Sequence, residues 1–183
     1  MYIGIDASLT NTGIVVIDDY YDIISKYELS TPAMGVERLY LLELQLKEVL
    51  SKCQNIDLVC IEGPAYRESG KLFDIGGWAY LIYLTLYKQG IPYMLVVPLQ
   101  LKKYVSGAGI NLGKAVVMLD VFKNFGEEIR SDDVADAYVL SRIAHDYHFK
   151  YARKQEIDIK KYQLEVLRKL GKEQIELGKK SLL

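Results

Sequence analysis

Short apolar runs alternate along the chain with longer stretches of helical spacing. Tyr2-Ile3-Gly4-Ile5 and Leu58-Val59-Cys60-Ile61 are unbroken and rich in β-branched residues, the pattern of strands buried on both faces, and each ends in an acid, Asp6 and Glu62. Between them, Thr12-Gly13-Ile14-Val15-Val16-Ile17 and the alternating run 22–29 follow strand 1–7 through short polar links, which predicts an antiparallel meander. Val36, Leu39, Leu42, Leu46 and Leu50 recur at helical spacing and predict a helix over 34–52 with its stripe toward the core. A second amphipathic helix is predicted over 70–88, then a strand over 93–97 that Pro98 stops.

A further helix is predicted from Ser131, which can cap it, to about His148. The order is β-β-β-α-β-α-β-α-α. Strands separated by helices require crossovers, so the expected class is α/β: a mixed sheet, antiparallel in its first three strands and parallel after them, with helices on its faces. A chain of 183 residues can bury one good core. The expected division is a domain over 1–150 and a basic helical extension over 151–183.

Charge separates the two parts. From Tyr151 onward nine Lys and Arg face five Asp and Glu, giving +4, so residues 1–150 carry −5 of the chain's total of −1. Such a body is no general DNA-coating protein, and affinity for nucleic acid would have to come from local patches, a metal-bound site or the basic tail. The tail intersperses Ile157, Tyr162, Leu164, Leu167, Leu170 and Ile175 among its charges, the pattern of an amphipathic helix that packs on its own domain or a partner; DNA contact by its lysines is the other reading.

No run reaches membrane-spanning length, and no basic, apolar, small-residue leader is present, so a cytoplasmic location is expected. A Tyr- and Lys-rich composition fits a phage or an AT-rich genome, and for a phage-encoded chain the expected location is the host cytoplasm. Cys53 and Cys60 read as two reduced structural thiols. His145 and His148 show no finger spacing with them, which argues against zinc.

The candidate chemistry lies in the acids. Asp133 and Asp136 fall in the first turns of the last predicted helix on one face, and Asp132 and Asp136, four apart, could serve equally. Capping acids alone would suit the helix dipole. Together with Asp6 and Glu62, however, they form a split cluster whose mutual repulsion raises pKa values unless divalent cations neutralise it. All-oxygen donors favour two Mg2+ ions, with Mn2+ as a substitute. In phosphodiester hydrolysis two such ions would activate a water and stabilise the departing 3′ oxygen, with Asp6 bridging them and Glu62 and the Asp133/Asp136 pair flanking.

The stretch Gly4-Ile5-Asp6-Ala7-Ser8-Leu9-Thr10-Asn11-Thr12-Gly13 resembles the first strand and turn of RuvC-type Holliday junction resolvases of the RNase H-like superfamily, here a phage-like member. Ile61-Glu62 and Asp133-Val134-Ala135-Asp136-Ala137 match that family's second and third catalytic segments in order and spacing. Pro98-Leu99-Gln100-Leu101-Lys102-Lys103 with Gly107-Ala108-Gly109 is similar to a further segment, whose second lysine arrives one place late as Lys114. The likeness covers about residues 1–148 and favours Asp133 over Asp132.

The resemblance implies an RNase H-like fold and a homodimeric, metal-dependent endonuclease that resolves four-way junctions by paired symmetric nicks, with other branched DNA as further substrate. On it, Asp6, Glu62, Asp133 and Asp136 are metal-binding and catalytic, and Lys114 offsets charge on the scissile phosphate. DNA contacts are implied for Ser8, Lys102, Lys103, Lys114 and the loop residues Tyr66, Arg67 and Lys71, with Tyr66 or Phe73 as the wedge between parted strands. It also implies a dimer interface along the helix after Glu62, where Phe73, Ile75, Trp78, Ala79, Ile82, Tyr83 and Leu86 are apolar around more than one side.

Other readings are a non-catalytic junction-binding scaffold, an RNase H-like enzyme cutting RNA–DNA hybrids, and an actin-like ATP-binding domain, since residues 6–13 also look like a phosphate loop. Acids at all three segments argue against the scaffold. The absence of a second glycine-rich phosphate segment argues against the ATP-binding domain.

Overall fold

The computed structural model describes residues 1–63, 72–108 and 114–180, without the side chains of 72–73, 114–115 and 173–180. Strands β1 (Tyr2–Asp6), β2 (Thr12–Ile17), β3 (Ile23–Leu29), β4 (Leu58–Glu62) and β5 (Tyr93–Val96) form one sheet in the order β3-β2-β1-β4-β5. β1 pairs antiparallel with β2, and β2 with β3; β4 runs parallel to β1, and β5 to β4. This is the mixed α/β architecture that the strand and helix order predicts.

Parity along the buried strands divides the core in two. Tyr2, Val15, Leu58, Cys60 and Met94 face α5 (Asp132–Tyr147), which lies across β1, β2 and β4. Ile3, Ile5, Ile14, Val16, Val59 and Ile61 face the opposite layer, formed by α1 (Gly35–Ser51) and α2 (Leu72–Lys88). In a strand, alternate side chains point to opposite faces, so Asp6 and Glu62 emerge on the α5 side with Tyr2 and Cys60.

α5 sits unusually close to the sheet, and two glycines are the reason. A Cβ on Gly4 would lie 1.9 Å from the Ala137 carbonyl oxygen and 2.4 Å from the Ser141 nitrogen. On Gly13 it would lie 2.2 Å from the Asp133 carbonyl oxygen. The helix backbone therefore rests directly on the backbones of β1 and β2, at two positions where the strands carry no side chain.

The region after β5 holds more helix than the pattern predicts. Residues 98–125, anticipated only as a motif, contain α3 (Pro98–Ser106) and α4 (Lys114–Phe125). Pro98 occupies the first turn of α3, where its missing N–H costs nothing, and Gln100 Oε1 accepts a 3.0 Å hydrogen bond from the Val97 N–H. Gly107 ends the helix at φ 78°, a left-handed conformation that glycine adopts without penalty. Ser131 does occupy the cap position of α5, but its side chain makes no capping hydrogen bond.

The C-terminal region packs on this layer. A π-helical turn (His148–Ala152) leads to α6 (Lys161–Lys180), which buries Val166, Leu167 and Leu170 in the same cluster as Leu101, Tyr104 and Val105 of α3. Beneath it Asp146, wholly buried, accepts hydrogen bonds from the hydroxyls of Tyr21 and Tyr104 and stands 2.9 Å from His145 Nδ1. That tie joins the β2–β3 turn, α3 and α5. No helix among the described residues is long and apolar enough to cross a membrane.

Gly4→Ala should cost about 3 kcal/mol or more, because both neighbours are backbone atoms that cannot rotate away. Thermal unfolding should register this as a drop of about 10 °C for a chain of this size. Gly76→Ala on α2, where an added Cβ meets nothing within 4 Å, should be neutral or slightly stabilising. Equal melting temperatures for the two variants would refute the close-approach account.

Candidate active site

The parallel register of β1 and β4 sets the first two acids side by side. Tyr2 pairs with Leu58, Gly4 with Cys60 and Ile5 with Ile61, so the next step along each strand brings Asp6 level with Glu62. On its other flank Asp6 pairs with Gly13, the residue against which the Asp133 backbone rests. The contact that lowers α5 onto the sheet thus also delivers its first turn to the end of β1.

The electrostatics register this convergence. Asp6 is only 8% exposed. Burial, then the charge of Glu62 and a hydrogen bond with it, and then Asp133 in both ways, push the Asp6 carboxyl from its ordinary 3.8 up to about 9. Glu62 is also raised, chiefly by burial; its hydrogen bond with Asp6 and the charge of Lys102 lower it, while Asp136 and Asp133 raise it. A proton on Asp6 shared with Glu62 accounts for the opposite effect of that bond on the two partners.

All four predicted acids are therefore linked through Asp6 and Glu62, and Asp6 is the member hydrogen-bonded to acids from both other segments. Of the two candidates at the start of α5, Asp133 is the one whose charge and hydrogen bond reach Asp6. Lys102, half-buried on α3, is a cation whose field reaches Glu62. Lys103, its neighbour, instead pairs with Glu165 of α6 at 2.9 Å. Ser8 lies in the turn after β1, where its backbone N–H donates to the Asp6 carbonyl and its carbonyl accepts from the Thr12 hydroxyl. Tyr66, Arg67 and Lys71 lie outside the described residues, as do the side chains of Phe73 and Lys114.

The donor set suits hard divalent cations. It consists of carboxylate oxygens alone, held in a place where burial and like charge penalise ionisation, which is what a bound cation offsets. Among the described residues no three acidic, His or Cys side chains stand gathered as a ready-made ligand group. Asp6 and its neighbours close on one another through hydrogen bonds that require a proton on one of the carboxyls.

Two contributors escaped the sequence reading. Trp78 of α2, fully buried, donates its indole N–H to the Thr12 hydroxyl at 2.9 Å, and Thr12 in turn holds the Ser8 carbonyl, fixing the turn that follows Asp6. Gly4 and Gly13 set the height of α5. The glycines were detectable as the residues without a side chain in two otherwise β-branched strands. The Trp78–Thr12 bond, spanning 66 residues, had no local signal.

One expectation about α2 needs correction. Trp78, Ala79, Ile82 and Leu86 are core residues of the single chain, 2% exposed or less, and Tyr83 is nearly as deep. They close the second core against α1 and the sheet and offer nothing to a partner. Among the described residues, the exposed apolar side chains of this layer include Tyr80, Leu84 and Tyr87 on α2 and Val36, Tyr40 and Leu44 on α1.

No family model matches the sequence, and no curated protein matches it either. Solved structures do. Thermus thermophilus RuvC in complex with a Holliday junction substrate aligns with a TM-score of 0.65 at 22% identity, over 83% of this chain and 94% of that one. A second structure of Thermus thermophilus RuvC gives 0.62 at 23% identity, over 83% and 95%. The fowlpox virus resolvase, also solved with Holliday junction DNA, gives 0.51 at 15% identity, over 78% and 96%. The chain has the RNase H-like fold of RuvC-type resolvases.

The shifted carboxyl carries a prediction for the protein without metal. An acid raised in the fold contributes stability that is present below its unfolded pKa and lost as pH climbs through its folded one, here from about 4 to about 9. Asp6→Asn removes that loss, so the variant's advantage in melting temperature over the parent should widen with pH across this window. Saturating Mg2+ should narrow the gap by stabilising only the parent. A constant difference at every pH, with or without Mg2+, would contradict the assignment.

Proposed function

We propose that the chain is a metal-dependent endonuclease that resolves four-way DNA junctions. The observation that carries this reading is the convergence of Asp6, Glu62, Asp133 and Asp136 at the ends of β1 and β4 beneath the first turn of α5, on a fold shared with RuvC. Fold alone does not fix a substrate, and it is the acids at all three segments that favour a nuclease over a binding scaffold.

In this reading Asp6, Glu62 and the Asp133/Asp136 pair would hold two Mg2+ ions, with Asp6 as the central ligand and the others completing the oxygen shells. When bound, the ions supply a water of lowered pKa and stabilise charge on the leaving 3′ oxygen. The chain's own part is positional. Parallel register fixes Asp6 against Glu62, the glycine contacts fix α5, and Lys102 sets positive charge beside Glu62, where a phosphate would approach. Lys114, which opens α4, is assigned the scissile phosphate, and Ser8, Arg67 and Lys71 the flanking backbone. Tyr66 or Phe73 would stack on the bases at the point where strands part.

A four-way junction presents two equivalent strands, which a two-fold symmetric pair of sites would match. The exposed stripe Tyr80, Leu84 and Tyr87, spaced four and three apart on α2, together with Tyr40 and Leu44 on α1, is the face we assign to the homodimer.

The reading is tested by incubating end-labelled four-way junction, linear duplex and RNA–DNA hybrid with protein and Mg2+. Paired symmetric nicks confined to the junction are expected. Cutting of the hybrid alone would transfer the chain to the RNase H-like alternative, and an intact junction would refute a resolvase. Asp6→Asn should still bind the junction while losing at least about a hundredfold in rate. Leu84→Glu with Tyr87→Glu should convert a species of twice 20.9 kDa to the single-chain mass in solution; a parent already monomeric at working concentration would remove the dimer.

A further inference from the structure

α6 lies beyond residues 1–148, over which the sequence resembles the RuvC family, and it has two distinct sides. One is taken up by packing. Val166, Leu167 and Leu170 enter the core beside α3, and the Tyr162 ring lies 3.1 Å from where a Cβ would stand on Gly107 at the end of α3. Among its described side chains the other side is exposed and mostly basic, with Lys161, Arg168, Lys169 and Lys172 beside one acid, Glu165.

Positions 161, 165, 168 and 172 recur at the four- and three-residue intervals of a single helical stripe. Glu165 does not cancel that stripe, because Lys103 of α3 is already bound to it at 2.9 Å. The hydrogen bond and charge of Lys103, followed by the charges of Lys161 and Arg168, hold the Glu165 carboxyl below its usual range. Three cations from two helices therefore crowd one acid, leaving a local excess of positive charge on a chain whose body is net negative. Solvated surface lysines have no such reason to gather across a helix–helix seam.

The ridge also has a direction. Lys103 adjoins Lys102, whose field reaches Glu62, so positive charge continues from the carboxylate cluster along α3 to α6. Between Lys161 and Lys172 the helix advances about 16 Å at 1.5 Å per residue, a length over which one strand of a duplex presents about five phosphates.

We propose that the α3–α6 ridge formed by Lys103, Lys161, Arg168 and Lys172 holds the phosphate backbone of a duplex arm outside the cleavage site. The inference rests on the junction-nuclease reading and adds to it a second contact region supplied by the C-terminal helix. Glu165 orders the ridge by joining the two helices, and Lys103 can exchange it for a phosphate.

The test uses the full-length chain carrying Lys161→Gln, Arg168→Gln and Lys172→Gln together, with binding to a four-way junction measured across a salt series in Ca2+ and cutting measured in Mg2+. The expected result is about a tenfold loss of affinity near physiological salt and a salt slope smaller by about two to three, near one for each phosphate no longer neutralised. The single-turnover rate at saturating protein should fall by less than the affinity, and melting temperature should stay within about 2 °C, since these side chains are exposed. A junction with arms trimmed to a few base pairs should bind parent and variant alike.

Equal affinity and equal salt slope for parent and variant on long arms, with the parent cutting normally, would overturn the ridge and leave the nuclease reading standing. A parent that neither binds nor cuts the junction would overturn both.

Discussion

Direct contact between the backbone of α5 and the backbones of β1 and β2 governs the rest of this molecule. Helices normally stand off a sheet by the thickness of two layers of side chains. Here Gly4 and Gly13 remove one layer at two points, so the carbonyls of Ala137 and Asp133 come down onto the strands. The descent has two results at once. It closes the core on which α3, α4 and α6 are later laid, and it brings acids carried by a helix within hydrogen-bonding reach of an acid carried by a strand. Stability and chemistry depend on the same contact and cannot be adjusted separately.

The cost of that arrangement is electrostatic. A carboxyl at 8% exposure beside two others is the kind of group that folding ordinarily excludes, and Asp6 responds by holding its proton far above the normal range. Nearby elements are tied by buried hydrogen bonds. Thr12 and Trp78 lock the turn after β1, and the tyrosine–Asp146–His145 tie anchors the far end of α5. The electrostatic cost at the acids is thus met within a frame held at both ends.

Much of this was legible in the chain itself, for identifiable reasons. Buried parallel strands are continuous apolar runs, so β1 and β4 and the acids that end them could be read directly. The mixed sheet followed from the alternation of strands with helices. Helix spacing alone could not choose between Asp132 and Asp133; that Asp133 rests on Gly13 and acts on Asp6 is a tertiary fact with no local signal. Residues 98–125 were recognisable only as a motif because Gly107 interrupts the helical periodicity that separate α3 and α4 would otherwise have shown. On α2 the apolar surplus was real but misplaced. The buried set faces its own core, while Tyr80, Leu84 and Tyr87, dispersed among those residues in sequence, form the exposed stripe.

Chain order gives the site a timetable. Asp6 is made before Glu62, and Asp133 and Asp136 follow about seventy residues later still. Because α5 is what brings the last acids to the first, a nascent chain emerging from the ribosome has no assembled carboxylate centre until α5 has emerged and docked. A fragment broken off in translation before that point would carry the two strand acids without their partners.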